Sequence, residues 1–140
     1  MEEKEILDSL AEEFFAGWEV TPTGGGFLIT TDWILPNNER IEIHIRRVGE
    51  REDLFLVTDG GELVNYLFSE KIDISKDESG LKILNWVAEN HGAKIAEYQM
   101  VKGAKGPEVA SAIRVMLEAV KEASFLLWHN LKEASTGPVH

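Results

Sequence analysis

Between Arg40 and Val48 apolar and polar residues alternate, with Ile41, Ile43 and Ile45 on one parity and Glu42, His44 and Arg46 on the other. A period of two places the isoleucines on one face of an extended strand and the polar row on the opposite face. A slip of one residue would turn all three isoleucines toward water. This run therefore commits the chain to a sheet with one covered face. Two further strands flank it. Phe27 to Leu35 ends at the turn-forming cluster Pro36-Asn37-Asn38. Asp53 to Thr58 carries Leu54-Phe55-Leu56-Val57, apolar on both parities, as expected of a strand covered on both faces. The connections are short, which predicts an antiparallel meander. Upstream, Thr21-Pro22-Thr23-Gly24-Gly25-Gly26 reads as a loop.

The remaining segments carry helical spacing. Ile6, Leu7, Leu10, Ala11, Phe14, Phe15 and Trp18 form one apolar stripe, with Glu5, Asp8, Glu12 and Glu13 on the outer side. This predicts an amphipathic helix ending near Gly17. Glu62 to Glu70 reads as a short helix with Leu63, Tyr66 and Leu67 on one side. Ser75-Lys76-Asp77-Glu78 has the form of a capping box and opens a second helix, which stops at His91-Gly92. Gly80 weakens its first turn. Ala93 to Val101 reads as a strand or hairpin at the sheet edge, and Lys102 to Gly106 as a loop. From Pro107, a favoured first helical residue, Val109, Ile113, Met116, Val120, Ala123, Leu127 and Leu131 recur by fours and threes. Leu117, Phe125, Leu126 and Trp128 widen that stripe, and two readings stay open: burial within the monomer, or contact with a second copy through residues 107–131. The expectation is a single α+β domain over 1–134 with a flexible tail at 135–140. Its antiparallel sheet has three to five strands, packed with an N-terminal helix, two short central helices and a long C-terminal helix.

Composition excludes several classes. The 140 residues include no cysteine, which removes disulfides, thiolate nucleophiles and Cys-based zinc sites. Met1-Glu2-Glu3-Lys4-Glu5 is acidic where a secretory signal is basic and then apolar. No apolar run approaches the roughly 18 residues that span a bilayer. A cytoplasmic protein with no membrane partner is expected. Net charge is −11, concentrated at the start, where residues 1–20 hold seven acids against Lys4. Such a chain is a poor direct binder of nucleic-acid phosphates. The charge serves solubility, or the acidic helix imitates nucleic acid before another protein.

The turn Thr58-Asp59-Gly60-Gly61-Glu62 is the most distinctive local feature. Asp59 suits a helix N-cap, and Glu62 stands three residues on, as in a reciprocal capping pair. The same carboxylates, at the end of a core strand, are candidates for acid–base or metal chemistry. His44 belongs to that candidate set if its face meets Asp59, and so does Asp32. The clustered-acid pattern with a nearby lysine that Mg²⁺ nucleases use is absent from these strands. His44, His91, His129 and His140 show no zinc-ligand spacing. Neither a cofactor nor a metal is expected.

Thr31-Asp32-Trp33-Ile34, Glu42-Ile43-His44-Ile45 and Leu56-Val57-Thr58-Asp59-Gly60-Gly61 together resemble a domain-of-unknown-function family, numbered eighteen twenty-eight. The resemblance covers about residues 10–131, including the downstream order of helix, short strand and long helix. It implies a bacterial, archaeal or prophage setting and supplies no activity and no catalytic residues. This chain departs from the pattern at Gly60, where the family has a second aspartate. The reading that follows is a non-enzymatic protein-interaction or regulatory module in a mobile-element context. The alternative is a metal-dependent hydrolase or nuclease using Asp59, Glu62, His44 and Asp32.

Overall fold

The computed structural model describes residues 18–49 and 53–136, and the side chains up to Leu127. The fold is α+β. Its sheet has six strands: β1 (Glu19–Thr23), β2 (Gly26–Ile34), β3 (Arg40–Arg47), β4 (Leu54–Thr58), β5 (Lys94–Ala96) and β6 (Gln99–Lys105). Their order is β1-β2-β3-β4-β6-β5, and every neighbouring pair is antiparallel. The helices are α1 (Glu62–Ser69), α2 (Glu78–Asn90) and α3 (Val109–Thr136). The meander through β2, β3 and β4 is the one the alternation predicts. Ile41, Ile43 and Ile45 are at most 1% exposed, each worth roughly 1.5–3 kcal/mol by transfer from water.

Most of β1 and the end of β6 lie where loops are expected. Glu19–Thr23 pairs with β2 across the turn Gly24-Gly25. Pro22 is compatible with that strand because β1 is an edge and needs hydrogen bonds on one side only. The expected hairpin at Ala93–Val101 forms as β5 and the start of β6 and adds to the β4 edge of the meander, but β6 runs on through Lys102 to Lys105, where a loop is expected. Its glycine and lysines are poor strand formers, and the ladder that Lys102 to Lys105 make with Leu54 to Val57 of β4 overrides that preference. Gly103 sits opposite Leu56, while Met100 and Ala104 face the core. The predicted N-terminal helix lies outside the described residues except for Trp18. That residue opens the sheet, and its indole donates to Asp32 at 2.7 Å.

Helix α3 packs on β3, β4 and β6 and against α1 and α2. Val109, Ile113, Met116, Val120, Ala123 and Leu127 are at most 1% exposed, and Leu117 is fully buried beside them. The described part of the stripe is thus buried within the chain, Phe125 and Leu126 are 46% and 36% exposed, and Trp128 and Leu131 lie outside the described side chains.

The caps differ from the capping-box expectation. Ser75 is not the N-cap of α2, because it lies inside a single 3-10 turn, Ile74–Lys76, that Asp73 caps through the Ser75 N–H at 3.1 Å. Asp77 caps α2 by accepting the Gly80 N–H at 2.9 Å. A Cβ on Gly80 would lie 2.9 Å from the Asp77 carboxylate, so the glycine makes room for the cap. Both α1 and α2 end in Schellman turns. In α2 the Ala93 N–H reaches Ala88 and Gly92 reaches Glu89, with Gly92 at φ 68°. In α1 the corresponding bonds run Ile72 to Leu67 and Lys71 to Phe68, and Lys71 adopts φ 69°. A lysine pays a left-handed penalty there that glycine does not. Lys71→Gly is expected to stabilise the fold by about 1 kcal/mol in urea unfolding. An unchanged midpoint would show that the turn carries no strain.

Candidate functional site

The site lies where β4 ends. Beyond Thr58 the chain turns through Gly60 and Gly61, at φ 66° and 83°, into α1. The Asp59 side chain is 1% exposed. Its Oδ1 accepts the N–H groups of Gly61 and Met100, both at 3.0 Å, and its Oδ2 accepts that of Leu63 at 3.2 Å. One carboxylate thereby ties together the end of β4, the start of β6 and the first turn of α1. Burial pushes the Asp59 carboxyl above its ordinary range, against the downward pull of these three donors and of nearby His44.

The reciprocal capping pair does not form. The N-cap position is Gly61, Asp59 accepts the Leu63 N–H from two residues before it, the Glu62 N–H goes to the Asp59 backbone carbonyl, and Glu62 does not reach back. Its carboxylate instead accepts the backbone N–H of Glu42 on β3 at 3.0 Å. The physical reason is the length of β4. That strand stops opposite His44, so Glu42 has no β4 residue opposite it. Glu62 supplies an acceptor just beyond the strand's last pair.

That position brings Glu62 against the Glu42 side chain, which also accepts from Thr30 at 3.4 Å. Burial raises the Glu62 carboxyl to about 7; the Glu42 N–H opposes this, while the Glu42 and Asp59 carboxylates add to it. A carboxyl raised in the folded state stabilises the fold fully below the unfolded value of 4.5. That contribution is lost as pH rises through about 7. Because Glu62 is only half-buried, solvent screening limits the loss to about 1–2 kcal/mol. Glu62→Gln keeps an acceptor for the Glu42 N–H and offers an amide to the Glu42 carboxylate. It is expected to flatten the fall in melting temperature between pH 5 and pH 8, which differential scanning fluorimetry would follow. An equal fall in both proteins would assign it elsewhere.

His44 projects from the polar face of β3, opposite Thr58 on β4 and Leu28 on β2. Its ring packs on the turn so closely that a Cβ on Gly60 would lie 2.6 Å from Nε2. Among the described residues, His44, Arg46, Thr58, Gly60 and Gln99 line an open cleft of about 170 Å³. Thr58 joins the walls, since its hydroxyl donates to Gln99 Oε1 at 3.1 Å and accepts the Gly60 N–H at 3.1 Å. Asp59 lies near His44 but is not part of the lining.

Of the expected residues, His44, Asp59 and Glu62 gather around one turn. Asp32 does not join them, since it is exposed and its carboxylate is held by Trp18. Among the described residues, no three His, Asp or Glu side chains are placed to hold a metal ion. Gln99 is the member that sequence reasoning missed. It arrives on the β5–β6 hairpin, and no local pattern announces that this hairpin docks beside β4. The hairpin turn is Glu97-Tyr98, both at positive φ (52° and 61°), where glycine and asparagine are usual.

No protein family, curated protein or solved structure matches the chain.

Proposed function

We propose that this protein is a non-enzymatic cytoplasmic module that acts through protein–protein contact, in the prophage or mobile-element setting that the resemblance implies. The observation that carries the reading is the state of Asp59. The foremost candidate for chemistry is sealed from solvent, and its oxygens are taken by three backbone donors. Glu62 is likewise held by β3, and Asp32 stands apart, which leaves His44 without an accessible acidic partner from the expected set. Surface aromatics add to this. Phe68 on α1 and Trp86 on α2 are 65% and 56% exposed, and aromatic side chains are the usual anchors of protein contacts.

The competing hydrolase reading makes the opposite demand on His44. Purified protein offered single-stranded nucleic acid, phosphodiesters and carboxylic esters with Mg²⁺ or Mn²⁺ is expected to turn over none of them. Turnover that His44→Ala abolishes at unchanged melting temperature would replace the interaction reading with an enzymatic one. The self-association component rests on α3 and is narrower. Light scattering is expected to give a mass above the monomer that Leu126→Glu lowers, and a strict monomer at high concentration would remove that component.

A further inference from the structure

The cleft beside β4 collects hydrogen-bond donors in a chain that is otherwise strongly acidic. Gln99 spends its carbonyl oxygen on Thr58, so its amide N–H groups are left for another acceptor. Among the described residues, none accepts from the Arg46 guanidinium, which is exposed at the cleft wall. His44 lies between them, half-buried, with no hydrogen-bonded acceptor among the described residues. The backbone amides of the turn are not available, because Gly60 and Gly61 donate to Thr58 and Asp59. Three side chains thus present donors to one small space.

The face also has an apolar component. Cross-strand partners share a face, so Leu28 flanks His44 and Leu56 flanks Arg46, both leucines being half-buried. We propose that this cleft binds a carboxylate carrying a short apolar body, with Arg46 forking the two oxygens and Gln99 and His44 completing their hydrogen bonds. Charge decides for a monoanion. Arg46 is the one permanently charged group in the lining, the chain carries −11 overall, and the Glu42–Glu62 pair stands at the far end of the same polar row. A doubly charged phosphate would meet more repulsion than one guanidinium offsets, whereas a carboxylate matches both the charge and the planar fork. A free short-chain acid and the C-terminus of a peptide offer the same chemistry.

The site goes beyond the contact reading above and stands on the other face of the sheet from α1, α2 and α3. The test is a titration of the ¹⁵N-labelled full chain at constant ionic strength, following the Gln99 side-chain amide and the His44 ring. Isovalerate is expected to give saturable shifts at both groups, while its neutral amide and inorganic phosphate give none. Arg46→Gln, at an exposed position that leaves the fold intact, is expected to weaken binding about tenfold. N-acetyl-glycyl-leucine, compared with its C-terminal amide, identifies the source. Tighter binding of the peptide acid than of isovalerate points to a chain terminus, and the reverse order points to a free acid; either order supports the site. Unsaturable shifts, equal response to acid and amide, preference for phosphate, or indifference to Arg46→Gln would each overturn the proposal.

Discussion

Asp59→Asn is expected to cost about 2–3 kcal/mol in urea unfolding, at or beyond the upper end of what a helix cap loses. Both carboxylate oxygens accept backbone N–H groups, two at Oδ1 and one at Oδ2. An asparagine in either flip turns its NH₂ toward at least one of these donors. The site is buried, so water cannot take over the orphaned hydrogen bonds. A simple N-cap loses about 0.5–2 kcal/mol on substitution. A measured cost in that lower range would mean that the Met100 contact adds nothing, and that Asp59 serves α1 alone.

Gly60→Ala is expected to cost about 2–4 kcal/mol from two separable sources. The φ of 66° penalises any side chain, and the new Cβ would lie 2.6 Å from His44 Nε2. A double-mutant cycle divides them. In a His44→Ala background the steric part disappears while the backbone part remains, so the cycle should show coupling of about 1–2 kcal/mol. Strict additivity would show that the imidazole swings aside at no cost. In this chain a side chain at position 60 and the His44 ring compete for one space.

Much of the architecture was legible because it is written in short-range periodicity. Ile41, Ile43 and Ile45 define a face by themselves, and the Val109-to-Leu127 stripe defines another. Positions whose role depends on distant pairing were not legible. Pro22 argues against a strand until its edge location is known. Ser75 and Asp77 compete for the same cap, and local motif form does not rank them against Asp73 and the 3-10 turn. Within the site, the Asp59 turn stands out in the sequence, and its bond to the Gly61 N–H, two residues on, follows from the local chemistry of an aspartate before a helix. Its bond to Met100 does not follow, nor does the bond from Glu42 to Glu62, since those partners lie 41 and 20 residues away. The cleft was half legible for the same reason: His44 and Arg46 share a visible row, while Gln99 is brought by topology.

The strand order β1-β2-β3-β4-β6-β5 carries a consequence for how fast the molecule assembles. The first four strands are joined in series, so each pairs with a neighbour it meets early. β6 must instead return to β4 after α1 and α2 have been made, closing a long loop before its ladder repays the entropy. The Asp59–Met100 bond spans that closure. A contact across such a closure is expected to form late, so Asp59→Asn should speed unfolding and leave the folding rate nearly unchanged in stopped-flow kinetics. On that expectation Asp59 is a latch on the native state's lifetime, tying the β5–β6 hairpin to the four-stranded meander.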